Sequence, residues 1–78
     1  MSDTYVPWSS VHSSNIEALA YNLTDKKMYV RFKSGAEYSY ENVPADTFDS
    51  ISKARSVGGK FSELVRSKPD EFPYTKIK

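Results

Sequence analysis

The stretch KMYVRFKSGAEYSY, residues 27–40, contains two segments in which apolar and polar side chains alternate, with Lys-Ser-Gly between them. Alternation with a period of two is the pattern of a β-strand that has one buried face. Two such segments joined by a short turn that contains Gly predict an antiparallel β-hairpin. The length of the turn decides which side chains form the core, because a slip of one residue moves every side chain of the second strand to the opposite face.

A three-residue turn, Lys33-Ser34-Gly35, gives compatible pairs on both faces of the hairpin. The pairs are Phe32–Ala36, Val30–Tyr38 and Met28–Tyr40 on one face, and Arg31–Glu37 and Lys27–Glu41 on the other. Gly35 then takes the left-handed position of a type I turn with a G1 bulge, where glycine meets no steric penalty. We favour this register, which turns Tyr38 and Tyr40 toward the core.

A two-residue turn, Ser34-Gly35, is the alternative. It places Tyr38 opposite Arg31 and Tyr40 opposite Tyr29. These side chains would make an aromatic and basic platform suited to stacking nucleic-acid bases. The same register sets apolar side chains of one strand against carboxylates of the other, and such pairs cannot share a dry face. The platform is therefore the less favoured interpretation of the two tyrosines.

Outside the hairpin, residues 16–21 are compact and apolar enough to form a preceding strand. The sheet is therefore predicted as a three-stranded antiparallel meander. Pro44 suits a helix start, since its φ is already helical and its missing N–H is not needed there. Phe48, Ile51 and Ala54 then recur at helical spacing, which predicts a first helix directly after the meander.

A second, shorter helix is predicted after Ser56-Val57-Gly58-Gly59, because the residues beyond it form an apolar stripe at Phe61, Leu64 and Val65. The tail beyond Pro69 has room for a short C-terminal strand. The fold class is α+β, a three-stranded antiparallel meander followed by two short helices. Residues 1–10 show no regular period and are predicted as an irregular lead-in to a single domain at 11–78.

Composition restricts the possible partners. The 78 residues carry eleven Lys or Arg and ten Asp or Glu, a net charge of +1, so any nucleic-acid contact needs a local patch rather than a field from the whole molecule. The chain contains no run of the roughly 20 apolar residues that a membrane helix needs. Its first residues lack the basic and apolar regions of a secretory signal. We expect a cytoplasmic protein with no membrane partner.

Catalysis and metal binding have little support in the sequence. His12 is the only histidine and lies among serines, but a working nucleophile needs a base that a third group holds in place. The serine-rich segment shows no such framework, so we expect no catalytic role for His12 and no enzymatic activity. A single His and no Cys leave only irregularly spaced carboxylates for a metal ion. The sequence predicts neither a metal site nor a cofactor.

The turn between the predicted helices is the candidate anion site. The segment at residues 56–60 lacks the GxxxxGK[ST] spacing of a nucleotide hydrolase, but serine, glycines and the N–H groups that open a helix can hold a phosphate. The candidate anion- or nucleic-acid-binding residues are Arg55, Ser56, Gly58, Gly59, Lys60 and Arg66. The alternative is a plain turn in which Ser56 caps the second helix. Glu63, one helical turn from Lys60, is expected to reduce the effect of its charge.

The order and spacing of several short motifs resemble the KTSC domain. The matching pieces are Val11-His12-Ser13-Ser14-Asn15-Ile16, Tyr21, Met28-Tyr29-Val30-Arg31-Phe32, Gly35, Tyr38-Ser39-Tyr40, Val43-Pro44, Ala54-Arg55-Ser56-Val57-Gly58, Phe61 and Val65-Arg66. The resemblance runs from about residue 11 to residue 74. The sequence departs from the family pattern at Gly59-Lys60, where a Lys-aromatic pair is expected, and at Ser62, where Asn is usual.

The resemblance implies a small module of bacteria and their phages, named for its presence at the C-terminus of some lysyl-tRNA synthetases. It implies no settled activity, although a role in RNA binding has been suggested for the family. One hypothesis is therefore an accessory module that binds RNA or another phosphate-bearing ligand. The other is a protein-interaction adaptor, or a phage-borne inhibitor of a host protein, that uses the exposed sheet face and an open strand edge. The sequence does not determine the oligomeric state.

Overall fold

The described residues of the computed structural model, 8–11 and 13–77, form one antiparallel sheet and two short helices. Within these residues the sheet has five strands in chain order: β1 (Ser9–Ser10), β2 (Ile16–Asn22), β3 (Lys27–Phe32), β4 (Glu37–Tyr40) and β5 (Tyr74–Lys76). Helix α1 (Ala45–Ser52) and helix α2 (Val57–Phe61) lie between β4 and β5, and α2 continues into a π-helical turn at Ser62–Arg66. The fold is α+β, as predicted.

The β3–β4 hairpin has the predicted three-residue turn. Its cross-strand pairs are Met28–Tyr40, Tyr29–Ser39, Val30–Tyr38 and Arg31–Glu37. Gly35 adopts a φ of 100°. The Phe32 N–H donates to the Ala36 carbonyl at 2.9 Å, which closes the turn. The favoured register is therefore confirmed, although strand pairing ends at Tyr40, one residue before the predicted Lys27–Glu41 pair.

The core lies between the inner face of the sheet and the two helices. The sheet contributes Ile16, Leu19, Met28, Val30 and Tyr40, and the helical half contributes Ile51, Val57, Phe61 and Val65. Each of these residues is at most 5% exposed. Tyr40 is thus a core residue, as predicted, whereas Tyr38 shares its face of the sheet but is only half-buried.

Strand β2 carries a bulge at Glu17. Ile16 and Ala18 pair with consecutive residues of β3, so that Glu17 is the extra residue and points to solvent. A bulge bends its strand and interrupts the pairing. The segment before the bulge, residues 13–15, lies against the start of α2, where it approaches Gly58.

Helix α1 begins one residue later than Pro44 suggested. Pro44 is the N-cap, with φ −65° and an extended ψ of 152°, and its carbonyl accepts the N–H groups of Thr47 and Phe48 at 3.0 and 3.1 Å. The helix ends at Ser52, so that Ala54 lies in the following turn rather than on the helix. The predicted periodicity located the helix but placed its C-terminal end too late.

The sheet has one more strand at each edge than the predicted three-stranded meander. Strand β1 (Ser9–Ser10) pairs with β2, so the prediction of an irregular lead-in is wrong for these two residues. A two-residue strand is too short to show an alternating pattern, and it forms because the edge of β2 offers unpaired backbone groups. Strand β5 agrees with the predicted short C-terminal strand. The predictions for residues 1–7 and for His12 lie outside the described residues.

The outer face of the sheet is partly covered by Trp8. Its ring lies under the Arg31 guanidinium, 4.4 Å from the ring centroid, and meets the ring of Tyr29 edge-on at 6.3 Å. Arg31 also forms an ion pair with Glu37 at 2.8 Å. These contacts anchor the start of the described chain on the face opposite the helices. No helix in residues 8–11 and 13–77 is long and apolar enough to cross a membrane.

Candidate ligand-binding site

A cleft lies between the start of α2 and the segment before the β2 bulge. We call it the serine-glycine cleft, and its walls are Ser13, Ser14, Asn15, Arg55, Ser56, Val57, Gly58, Gly59 and Ser62. Its volume is about 420 Å³. Four of the predicted anion-binding residues therefore lie in one cleft, namely Arg55, Ser56, Gly58 and Gly59.

Ser56 caps helix α2 and also faces the cleft. Its Oγ accepts the Gly59 N–H at 3.3 Å, so the alternative prediction of a helix cap is confirmed. A serine hydroxyl has one proton to donate in addition to its acceptor lone pairs. The cap therefore leaves the Ser56 proton available to an anion in the cleft.

Gly58 allows the close approach that forms the cleft. A Cβ atom at this position would lie 2.5 Å from Asn15 Oδ1 and 3.1 Å from Ser13 Oγ. Ser13 Oγ in turn accepts the N–H groups of Asn15 and Ile16 at 3.3 and 3.2 Å, and donates to Asn15 Oδ1 at 3.1 Å. The serine turn is thus locked by its own hydrogen bonds, and the glycine lets it pack against the helix.

The structure does not bring Lys60 and Arg66 into this cleft. Lys60 Nζ lies 3.8 Å from Glu63 Oε1, the interaction that their helical spacing predicted. Arg66 ends the π-helical turn and lines a different hollow, on the other side of Ser14 and Asn15. Of the six predicted residues, four therefore lie in the cleft, Arg66 lies in the second hollow, and Lys60 lines neither.

The second hollow is a groove of about 650 Å³ walled by aromatic rings. We call it the aromatic groove; its principal walls are Phe32, Lys33, Tyr38, Tyr40, Arg66 and Tyr74, and Ser14 and Asn15 line it as well as the cleft. The two hollows therefore adjoin. Among the described residues, no carboxylate side chain lines either of them.

The rings of the groove pack on one another at angles. Tyr74 lies 5.8 Å from Tyr38 and 5.7 Å from Tyr40 between ring centroids, and Tyr38 meets Phe32 edge-on at 5.8 Å. Tyr74 itself is 56% exposed, so much of this residue is accessible to a ligand. An aromatic and basic surface therefore exists on the helix-facing side of the sheet. It forms with the three-residue turn, whereas the platform interpretation assumed the two-residue turn.

Tyr40 connects the groove to the core. Its ring packs edge-to-face on Phe61 at 5.2 Å. Burial raises the pKa of the Tyr40 phenol, and the nearby Arg66 guanidinium opposes part of that increase. The hydroxyl therefore stays protonated at neutral pH and is a hydrogen-bond donor at the wall of the groove.

Sequence reasoning missed the groove because its walls are far apart in the chain. Tyr74 reaches Tyr38 and Tyr40 only because β5 pairs with β4, where Tyr40 faces Tyr74 across the two strands. The alternation in β4 correctly placed Tyr38 and Tyr40 on one face. Nothing local to residues 69–77 indicates which strand edge they join.

Family comparison agrees with the motifs read from the sequence. The KTSC domain matches residues 12–68 of this chain, which is most of its length. The chain belongs to the KTSC domain family. The matched range contains every residue of the serine-glycine cleft, and it ends before Tyr74 of the aromatic groove.

Two relatives and one solved structure match between 72% and 95% of this KTSC domain. It is 32% identical over 68 residues to an uncharacterized protein of Stutzerimonas stutzeri (strain A1501), a match that spans 87% of this chain and 93% of that protein. It is 38% identical over 56 residues to a protein of Tsukamurella paurometabola, spanning 72% and 84% of the two chains. The crystal structure of a KTSC domain protein from Yersinia pestis matches with a TM-score of 0.83 at 25% identity, and covers 95% of this chain and all of the other.

Proposed function

We propose that this KTSC domain is a non-catalytic cytoplasmic module that binds RNA or another nucleotide phosphate, and that a phosphate group occupies the serine-glycine cleft. The observation that carries the proposal is the chemistry of the cleft wall. Serine hydroxyls, glycine backbone and the Arg55 guanidinium meet there, and no carboxylate of the described chain lines it. Such a wall suits an anion, because the Arg55 guanidinium and the Ser56 hydroxyl can donate to phosphate oxygens, although the Gly59 N–H already donates to Ser56 Oγ.

Arg55 and Arg66 have different tasks in this proposal. Arg55 is exposed in the cleft wall, and so it is the direct partner of the phosphate. Arg66 assists from the adjoining groove, where it can contact a neighbouring group of the same ligand. Lys60 contributes less than its sequence position suggested, since Glu63 is 3.8 Å from its ammonium group.

Titration with ribose 5-phosphate, followed through backbone amide chemical shifts, tests the proposal directly. We expect the amides of Ser56, Gly58 and Gly59 to shift in wild-type protein and to shift much less in Arg55→Gln. Lys27→Gln is the matched control, because it removes one cation from β3, away from both hollows. Shifts confined to the strands, with the glycines silent, would contradict the phosphate site.

A protein-interaction role is the second candidate, and strand β5 is the observation that favours it. All three residues of β5 are exposed, and Tyr74 and Ile77 are large exposed hydrophobic side chains. A partner strand can add to such an edge through backbone hydrogen bonds. Lys76, the last residue of this edge strand, is a charge of the kind that discourages strand addition, so we place this function second. Co-purification of one host protein that survives high salt would favour it.

A further inference from the structure

We propose that the aromatic groove holds an unpaired nucleobase, so that the domain recognises single-stranded rather than double-stranded nucleic acid. The inference rests on the proposed function, because the base belongs to a nucleotide whose phosphate lies in the serine-glycine cleft. It names the ligand class of the combined site and assigns a second subsite, with Tyr74 as the stacking residue.

The shape and exposure of the groove suit a flat ring. A volume of about 650 Å³ lies within the roughly 300–1,000 Å³ of small-molecule sites. Tyr74 is 56% exposed, and its tilted contacts with Tyr38 and Tyr40 hold the ring at the groove wall. Stacking on an aromatic ring accepts any base, since every base has a π-face.

The charge of the groove favours a nucleotide over a peptide. Lys33 and Arg66 lie in its wall, and no carboxylate of residues 8–11 and 13–77 does. Proline-rich peptides also dock in aromatic grooves, but their neutral backbone makes no use of two cations. A ligand that is flat, aromatic and anionic matches both the rings and the charges.

The groove and the cleft are close enough in the fold to serve one ligand. Ser14 and Asn15 line both hollows. Asn15 Oδ1 accepts the Ser13 hydroxyl, which leaves the Asn15 amide protons to offer to the edge of a base or to a sugar hydroxyl. A base inside a duplex is stacked and paired, so it cannot reach the groove while its phosphate is in the cleft.

The π-helical turn links the two hollows on the helical side. Its first residue, Ser62, lines the cleft, and its last residue, Arg66, lines the groove. The Ser67 N–H donates to the Ser62 carbonyl at 3.0 Å, the i→i+5 bond of this geometry. Single π turns inside helices are rare and frequently lie at functional sites. One turn therefore sets the relative positions of the hydroxyl of Ser62 and the guanidinium of Arg66.

Binding of a short oligoadenylate, measured by fluorescence anisotropy at low salt, tests the base subsite. We expect single-stranded RNA to bind at least about tenfold more tightly than the same strand in a duplex, and Tyr74→Leu to weaken it by about tenfold. Tyr29→Leu is the matched control, since it removes a tyrosine from the opposite face of the sheet and should leave the affinity unchanged. Thermal unfolding of both variants checks that Tyr74→Leu acts on binding rather than on folding.

Two small probes separate this inference from the proposed function. Adenosine, which has no phosphate, should shift the amides of Ala36, Tyr38 and Tyr74, and ribose 5-phosphate should shift those of Gly58 and Gly59. A response of the glycines to ribose phosphate, together with equal binding of single and double strands and no effect of Tyr74→Leu, overturns the base subsite and leaves the proposed function standing. Silence of both hollows toward RNA overturns both. An acidic or proline-rich peptide that displaces the RNA from the groove at a concentration below that of the RNA also overturns the base subsite.

Discussion

Tyr40 has two different surfaces. The residue is 5% exposed, its ring packs edge-to-face on Phe61, and it also lines the aromatic groove. Truncation of the ring and removal of the hydroxyl should therefore have separate effects. The first is an effect on the core, and the second is an effect on the groove.

Tyr40→Ala is expected to unfold the domain or nearly so. Loss of a buried ring of this size costs about 3–5 kcal/mol, which is a large part of the stability of a domain this small. Urea denaturation followed by circular dichroism measures the loss, and Tyr40→Phe, which keeps the ring, should stay within about 1 kcal/mol of wild type. A Tyr40→Ala variant that folds normally and has lost only its ligand would show that the ring serves binding and not the core.

The raised pKa of Tyr40 predicts a loss of stability at alkaline pH. The folded protein holds this proton more tightly than the unfolded chain, whose phenol titrates near 10.0. The contribution to the free energy of unfolding is therefore complete below about pH 10 and is lost as pH rises through the folded pKa. Tyr40→Phe should show a smaller decline than wild type in urea unfolding measured across this range. Parallel declines in the two proteins would mean that other groups cause the loss.

Gly58→Ala should damage the cleft more than the fold. The new Cβ would lie 2.5 Å from Asn15 Oδ1, so the Asn15 side chain must move and its hydrogen bond with Ser13 must break. Alanine also favours the helix by about 1 kcal/mol over glycine, which offsets much of that cost. We expect stability to change by less than about 1 kcal/mol and ribose 5-phosphate binding to be lost. Full binding by a stable Gly58→Ala protein would show that the cleft does not hold the phosphate.

At the scale of elements, the β3–β4 hairpin supplies one wall of the groove, and its turn sets the register. Phe32 and Tyr38 face the same side because the turn has three residues, with Gly35 at φ 100°. A side chain at Gly35 would meet no atom within 4 Å, so the constraint there is conformational rather than steric crowding by neighbours.

Gly35→Ala therefore tests the turn separately from the site. We expect a destabilisation of about 1–2 kcal/mol, because an L-residue is strained at positive φ. Urea denaturation measures this change. RNA affinity should be unchanged at temperatures where the variant is folded, since Gly35 lines neither hollow. A loss of affinity in the folded variant would show that the hairpin register itself shifts when the turn is altered.

At the scale of the whole molecule, charge sets the strength of nucleic-acid binding. The net charge is +1, and the proposed contacts concentrate on Arg55 and Arg66 rather than on an extended basic surface. Binding should accordingly be weak and only moderately dependent on salt, unlike that of a strongly basic domain.

Neutralisation of about two phosphates of a single strand predicts a slope of about −1.4 for the logarithm of the binding constant against the logarithm of the salt concentration. Anisotropy titrations at several salt concentrations give this slope. Arg55→Gln and Arg66→Gln should each make it shallower by about 0.7, and Lys27→Gln should not change it. A slope near zero would contradict phosphate binding and would favour the protein-interaction function at β5.

The chain's local chemistry was enough to predict most of the secondary structure. The alternation on either side of Lys33-Ser34-Gly35 predicted two strands and their pairing. The spacing of Phe61 and Val65 predicted a second helical segment, but α2 already begins at Val57, before the glycines that were expected to precede it. Strand β1 escaped prediction because two residues carry no period. The end of α1 was placed too late because Ala54 matched the helical spacing without belonging to the helix.

The candidate site was predictable only in part. Arg55, Ser56, Gly58 and Gly59 are consecutive or nearly so, and a helix start places such residues together whatever surrounds it. The loop that completes the cleft, residues 13–15, reaches them across the fold. Lys60 and Arg66 were grouped with them by sequence distance, and the ion pair with Glu63 and the π-helical turn take them elsewhere.

The sequence by itself determined the favoured hairpin register, the order of strands β2 to β4 and the helices, and the family, because turn geometry and side-chain periodicity act over a few neighbouring residues. Only the tertiary structure decided that Tyr74 joins Tyr38 and Tyr40, and that the groove adjoins the cleft at Ser14 and Asn15. These contacts depend on which strand edge the C-terminal segment pairs with and on how the serine turn packs against α2. Both choices are made by the free energy of the assembled core, to which residues far apart in the chain contribute together.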